Sequence, residues 1–140
     1  MIVKRKFYIN GTWINPVIRN DLEVINPSSE QPYAIISLGS KKDVDLAVNT
    51  AKKSFITWSQ VYKKEKISLL DNLLKIYKDR WDEITQTMSE EMGAPLDWSS
   101  SAQTSSGADH IDDFIFRLKN FEFEKRFTKN SNNYIVYEPI

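Results

Sequence analysis

KEKISLLDNLLKIYKDRWDEITQTMSEEM, residues 64–92, is the stretch whose reading decides the fold. Its apolar residues fall at Ile67, Leu70, Leu74, Tyr77, Trp81, Ile84 and Met88, alternately three and four apart. That is the spacing of one continuous helical stripe, and Leu69, Leu73 and Ile76 widen it. Asp71 and Lys75 stand in a favourable i,i+4 relation. Gly93 can take the left-handed position after the last turn, and Pro95 bars continuation. Such a helix is about 42 Å long at 1.5 Å per residue, longer than a small domain is wide. The spacing therefore predicts a spine, Lys64 to Met92, on which shorter elements lie. Two apolar positions per heptad would indicate a coiled coil. The stripe here is broader and carries Tyr and Trp, which predicts packing within a globular protein.

A chain of 140 residues with 41% apolar content can bury the core of one domain. Lys plus Arg and Asp plus Glu each number 19, so the formal charge is zero and the basic footprint of a nucleic-acid binder is missing. Lys4-Arg5-Lys6 and Lys63-Lys64 are short enough to read as solvated ends. The absence of cysteine excludes disulfides, thiolate zinc sites and a cysteine nucleophile within these residues. No apolar run approaches the roughly 20 residues of a membrane span. Met1 to Tyr8 lacks the apolar region and cleavage site of a signal peptide, and the cytoplasm is the expected location.

Upstream of the spine, Asn10-Gly11 between Phe7-Tyr8-Ile9 and Thr12-Trp13-Ile14 predicts a hairpin closed by a type I′ turn. Pro16 ends the second strand. A second strand pair is expected at Leu22–Ile25 and Tyr33–Leu38, joined by the turn-rich residues 26–31, so that the whole reads as a small antiparallel layer. Ser40 and Asp43 predict a capping box. The helix it opens carries Val44, Ala47, Val48, Ala51, Phe55 and Trp58 on one face, with alanines small enough for close approach to a partner. Downstream, residues 99–107 have the composition of a linker, yet Ile111, Phe114, Ile115, Leu118 and Phe121 resume helical spacing. One helix over 97–121 is predicted, its small residues set against another backbone or a cavity. Lys129 to Asn133 reads as a turn, and Tyr134-Ile135-Val136-Tyr137 as a strand stopped by Pro139.

Chemistry is sparse. Glycine occurs only at 11, 39, 93 and 107, which rules out a dinucleotide fingerprint and a phosphate-binding loop in this stretch. Asp109, His110, Asp112 and Asp113 are the one cluster with metal-ligand residue types. A solvated acidic face opposite Ile111, Ile115 and Leu118 is the expected reading, because a site would require more imidazoles or a closed carboxylate cage. Glu90 and Glu91 are neighbours on a helix, about 100° apart, and do not converge as an acid/base pair. The aromatic residues fall mostly on apolar stripes, which makes them core and not base-stacking platforms. The residues alone give no catalytic or cofactor-binding group.

The order of motifs says more. Phe7-Tyr8-Ile9-Asn10-Gly11-Thr12-Trp13 resembles the F-I-N-G-x-W opening of the NAD(P)-dependent aldehyde dehydrogenases. Val24-Ile25-Asn26-Pro27-Ser28-Ser29-Glu30 is similar to their V-N-P-x-T-G-E, with Ser29-Glu30 standing where Thr-Gly-Glu is usual. Asp43-Val44-Asp45-Leu46-Ala47-Val48, with Ala51, Phe55 and Trp58, resembles D-V-D-x-A-V…A…A-F-x-x-W. Glu90-Glu91-Met92-Gly93-Ala94-Pro95 is similar to the E-x-G-x-P that closes the long helix, and Tyr137-Glu138-Pro139-Ile140 to the E-P-x-G that introduces the cofactor domain. Five fragments in order, at matching spacings, extend the resemblance over essentially the whole chain.

The resemblance implies an α/β parent fold, of which this segment alone is α+β: N-terminal β-hairpins, three helices and a C-terminal strand. The expected divisions are 1–39 for the hairpins, 40–123 for the helical part, and 124–140 for a strand or arm leading into the cofactor domain. It implies oxidation of an aldehyde to an acid by the complete enzyme through thiolate attack, hydride transfer to NAD or NADP and hydrolysis. Cysteine, glutamate base and cofactor lysine of the family all lie beyond the equivalent of Ile140. The chain alone is therefore expected to be an inactive N-terminal fragment that binds no cofactor. The alternatives are a truncated remnant acting as an interaction module and one half of a split enzyme. The resemblance further implies a structural monovalent cation held through the carbonyls of Val24 and Ile25 and by Glu91. The expected partners are a second copy, or a full-length or C-terminal homologue, with aldehyde substrate only in the complete enzyme and neither nucleic acid nor membrane.

Overall fold

Residues 1–130 and 132–138 are described by a computed structural model. Strand β1 (Ile2–Lys4) is followed by a hairpin of β2 (Phe7–Ile9) and β3 (Thr12–Ile14). Asn10 and Gly11 take φ of 55° and 75°, the two left-handed positions that a type I′ turn requires. Across the hairpin the Tyr8 and Trp13 rings lie 5.3 Å apart, a cross-strand aromatic pair. Strands β4 (Asp21–Asn26) and β5 (Gln31–Ser37) pair antiparallel, with a register shift between Val24 and Ile25. In their connection the Asn26 side chain accepts from the backbone N–H of Ser28 at 2.8 Å and of Ser29 at 3.3 Å, and Glu30 is forced to a φ of 56°.

The expected antiparallel layer needs a correction. Strand β1 pairs parallel with β5, Ile2 opposite Ala34 and Lys4 opposite Ile36, so the sheet order is β1-β5-β4. All three β1 residues are exposed, which leaves no in–out alternation for a sequence reading to detect. Lys4 is thus a strand residue in water and not part of a loose end.

Helix α1 (Lys41–Trp58) starts on the predicted capping box. The Asp43 carboxylate accepts from the Ser40 N–H at 2.8 Å and also from the Val17 N–H at 2.9 Å. The second bond pins the helix start to the chain that follows the hairpin. Its apolar face, expected to meet a partner, stays bare in this chain, with Val44, Val48, Phe55 and Trp58 exposed.

The single spine is also corrected. It divides into α2 (Lys63–Asp79) and α3 (Trp81–Met92) at Arg80, whose φ of −105° and ψ of 21° leave the helical basin. The break re-aims α3 without disturbing the apolar stripe: Trp81 still packs beside Tyr77, edge to face at 6.4 Å. Gly93 ends α3 in the left-handed conformation, φ 68°, as its position after the stripe predicts. Asp71 makes its ion pair with Lys119 across the helices, at 3.7 Å.

From residue 96 to 120 the backbone is continuously helical, as α4 (Leu96–Trp98), a π-helical turn (Ser99–Thr104) and α5 (Ser105–Asn120). Instead of three helices, the segment therefore has α1, the broken α2–α3 pair, and α4–α5 with its π turn. The small residues do sit against a neighbour, as expected. A Cβ at Gly107 would lie 2.3 Å from the Tyr77 hydroxyl, so only glycine lets α5 approach α2 this closely. Leu74, Ala108 and Ile115 form the buried core, with Ile67, Leu70, Tyr77, Trp81 and Ile111 packed around them. Burying a side chain the size of Leu74 or Ile115 contributes about 1.5–3 kcal/mol.

Beside that core runs a polar seam. Ser99 and Thr104 are wholly buried, and Thr104 shares a 2.9 Å hydroxyl bond with Thr85 of α3. The Trp81 indole N–H donates to Ser100 Oγ at 2.9 Å, and the Tyr77 hydroxyl donates to the Thr104 carbonyl at 3.1 Å. With Ser99 Oγ also donating to Gln103 Oε1 at 3.0 Å, the buried hydroxyls are partnered and their desolvation is offset.

The expected strand at Tyr134–Tyr137 is present as β7 (Tyr134–Val136), paired antiparallel with a strand the sequence reading missed, β6 (Glu124–Arg126). A charged triplet exposed at every position carries no strand signal of its own. Phe121 joins this hairpin to α5 through edge-on contacts with Phe123 and Tyr137. The predicted stop at Pro139, the motif residue Ile140, and Ser131 in the predicted turn lie outside the described residues.

Candidate functional site

Two surfaces stand out, neither of them a catalytic constellation. The first is an apolar groove of about 340 Å³ between α2 and α5, lined by Leu69, Leu73, Phe114 and Leu118 together with Trp58 from the end of α1. Lys66 lies over the Trp58 ring, 5.4 Å from its centre. A second hollow adjoins it through Phe114 and Leu118 and runs on to Phe121 and Phe123. Sequence reasoning placed Leu69 and Leu73 on a widened core stripe. With Ile76 they are the edge of that stripe which this chain leaves open, and the width itself was the signal. The other surface is the bare face of α1, which with Phe7, Tyr8 and Trp13 of the hairpin encloses a hollow of about 490 Å³.

Asp109, His110, Asp112 and Asp113 are all exposed on α5, and Asp113 is engaged by Arg117 at 2.6 Å. Among the described residues, no group of three or more His, Cys, Asp or Glu is placed to hold a metal ion. Glu90 and Glu91 diverge. Glu90 accepts from the Asn26 and Gln86 side-chain amides, tying the end of α3 to the β4–β5 turn, whereas Glu91 is exposed. A Cβ at Gly93 would meet Pro27 Cγ at 2.7 Å, so the helix end and that turn are in direct contact. Val24 and Ile25 flank the register shift just before it.

The carboxylates with shifted titration are all held by hydrogen bonds within the fold. Hydrogen bonds from Arg5 and Arg19 hold the Asp21 carboxyl well below the usual range. The Ser40 side chain, with the Val17 N–H, does the same for Asp43, and Arg80 does so for Glu83. Each shift favours the charged form, the opposite of what poises a carboxylate for proton transfer near neutrality. Among the described residues, no helix is long and apolar enough to cross a membrane.

Known proteins share this sequence and fold. The model described as "Aldehyde dehydrogenase family" matches residues 13–140. A crystal structure of aldehyde dehydrogenase from Bartonella henselae superposes with a TM-score of 0.92 at 44% identity, over 94% of this chain and 28% of that one. 3-Succinoylsemialdehyde-pyridine dehydrogenase from a Pseudomonas species is 37% identical over 122 residues, 86% of this chain and 26% of that protein. A mutant of Pseudomonas syringae aldehyde dehydrogenase C, crystallised with NAD+ and octanal, is similar at 29% identity and a TM-score of 0.86, over 89% of this chain and 26% of that one. This chain belongs to the aldehyde dehydrogenase family, and its fold is an α+β segment of that family's architecture. It spans between 26% and 28% of the length of the curated relatives it matches.

Proposed function

We propose that these residues serve as the N-terminal scaffold of an NAD(P)-dependent aldehyde dehydrogenase, which in complete form oxidises an aldehyde to a carboxylic acid. The observation that carries the reading is the 44% identity and 0.92 TM-score over 94% of this chain. The scaffold supplies surfaces and not reacting groups. Thiolate attack on an aldehyde needs a cysteine, and the chain has none.

A nicotinamide dinucleotide does not fit the residues present. Its pyrophosphate is met by a glycine-rich turn at a helix N-terminus, whereas the glycines stand singly at 11, 39, 93 and 107, and α1, the helix that follows Gly39, opens on the Asp43 carboxylate. The cofactor site and the reacting groups belong to the remaining portion of the enzyme, and the choice between NAD and NADP is made there. The partner this reading implies is the polypeptide carrying that portion, in the same chain or in a homologue. A structural monovalent cation belongs to the same proposal. The carbonyls of Val24 and Ile25 and the Glu91 carboxylate offer the oxygen donors a hard cation takes, and the rest of the enzyme completes the set.

Calorimetric titration of the purified chain with NAD+ tests the reading. No saturable binding is expected up to about millimolar concentration, and a Kd tighter than that would show that the cofactor site lies within these residues.

A further inference from the structure

Asn10 and Gly11 are the two turn residues of the β2–β3 hairpin, set between the paired Ile9 and Thr12. In such a loop the ladder bonds run between the flanking residues, so the Gly11 N–H has no place in the ladder. Among the described residues no hydrogen bond engages the Asn10 carboxamide; the side-chain bond of this turn belongs to Thr12, whose hydroxyl donates to the Ile9 carbonyl at 3.2 Å. Both turn residues are exposed, and a Cβ at Gly11 would meet nothing within 4 Å. An amide carbon and a main-chain nitrogen able to attack it thus stand on adjacent residues, with neither group tied down.

The other asparagines lack this pairing. Asn15 and Asn26 precede proline, whose nitrogen carries no proton to lose. Asn49 and Asn72 lie inside α1 and α2, where helical bonds hold the N–H that follows them. Asn20, Asn120, Asn130, Asn132 and Asn133 are each followed by a residue with a Cβ, which narrows the backbone angles open to the attacking nitrogen.

We propose that Asn10 is a site of spontaneous covalent modification, cyclising onto Gly11 and reopening with water as aspartate or isoaspartate. The Gly11 nitrogen gives its proton to solvent and attacks Asn10 Cγ. The N–Cγ bond forms, the Cγ–Nδ2 bond breaks, and Nδ2 leaves as ammonia with a proton from solvent. Water then opens the cyclic imide at either carbonyl. Opening at Cγ restores the main chain with aspartate at position 10, whereas opening at the main-chain carbonyl routes the chain through Cγ as isoaspartate. Attack needs the nitrogen and Cγ about 3–3.5 Å apart. Reaching that arrangement means turning the Asn10–Gly11 peptide out of its type I′ orientation, which a glycine in open space permits. The reactants are two adjacent residues and water, so no partner and no other part of a longer polypeptide takes part.

The two products differ in consequence. Asp-Gly suits a type I′ turn as Asn-Gly does, so aspartate leaves the hairpin closed. Isoaspartate adds an atom to the main chain of a loop whose length sets the register, which parts the Tyr8 and Trp13 rings now 5.3 Å from each other.

Incubation of the purified chain at neutral and mildly alkaline pH, followed by tryptic mass mapping, tests the proposal. Trypsin cuts after Lys6 and Arg19 and releases residues 7–19, which hold Asn10 and Asn15. This peptide is expected to gain the mass change of amide to acid before any other asparagine peptide does. It should appear as two chromatographic species of equal mass, and faster at the higher pH. Gly11→Ala is expected to slow the conversion about tenfold. Because alanine is strained at a φ of 75°, Asn10→Gln serves as a second variant that keeps the turn glycine, and its peptide is expected to stay unmodified. The isoaspartyl chain is expected to melt below the aspartyl chain, and equal midpoints would overturn the loss of register. Conversion of another asparagine ahead of Asn10, a rate that does not rise with pH, or undiminished conversion in Asn10→Gln overturns the site itself.

Discussion

Replacing Gly107 by alanine probes the closest approach in the helical core. In an exposed helix the change would stabilise, because alanine is favoured over glycine by about 0.8–1 kcal/mol. Here the new methyl would stand 2.3 Å from the Tyr77 hydroxyl and 2.9 Å from its ring carbon Cζ. Tyr77 cannot simply swing away, because its hydroxyl is bonded to the Thr104 carbonyl and its ring packs on Trp81. Overpacking of this kind costs about 1–3 kcal/mol. Losing the hydrogen bond adds about 1 kcal/mol. After the propensity gain, a net destabilisation of about 1–3 kcal/mol is expected. Tyr77→Phe removes the atom struck first, so in that background Gly107→Ala should cost at least about 1 kcal/mol less, a coupling measurable in a double-mutant cycle. Urea unfolding followed by tryptophan fluorescence is the assay, with Trp81 as a reporter beside the substituted contact. A Gly107→Ala chain more stable than wild type, or equal costs in the two backgrounds, would refute the reasoning.

Three other outcomes are expected. Glu30 is held at φ 56°, a conformation costing a side-chain-bearing residue about 1–2 kcal/mol. Glu30→Gly should therefore gain about 0.5–1 kcal/mol after the added unfolded-state entropy, seen as a higher urea midpoint. The lowered pKa of Asp43 gives its contribution a sign: stability is fully present above the unfolded carboxylate value and is lost as pH falls through the folded one. Thermal midpoints of Asp43→Ala should accordingly fall less steeply than wild type below about pH 4, and parallel curves would count against the Ser40 and Val17 hydrogen bonds to Asp43. With Asp109, His110, Asp112 and Asp113 in solvent, zinc or calcium should move the thermal midpoint by no more than about a degree or two, whereas a saturable rise abolished by Asp113→Ala would reveal a site.

What could be read from sequence was local chemistry. Asn10-Gly11, the Ser40–Asp43 box and the Gly93 stop each act within a few residues of themselves, and each is found where its residues place it. The kink at Arg80 was hidden because the apolar spacing passes through it unchanged; only the backbone angles differ. Strands β1 and β6 owe their existence to distant partners, β1 to residues 34–36 and β6 to residues 134–136, and three exposed residues carry no pattern that foretells such pairing. The serine-rich run had the composition of a linker, yet Ser99 and Thr104 are buried because Thr85 and Gln103 meet their hydroxyls. Gln103 belongs to the same turn, but Thr85 lies on α3 and becomes visible as a partner only when the helices are laid together. The excess width of the stripe was legible in sequence, since no single neighbour could cover it; which part stays open depends on which neighbours the chain supplies.

The central claim is that these residues are the scaffold of an aldehyde dehydrogenase whose reacting groups lie in the remaining portion of the enzyme. Absorbance at 340 nm, with an aldehyde series and NAD+ or NADP+, tests it most directly when run on the purified chain with and without the complementary portion of a homologous dehydrogenase. No reduced cofactor is expected from the chain alone, and turnover is expected when both pieces are present. Turnover by the cysteine-free chain alone, at a rate the second piece does not change, would contradict the account.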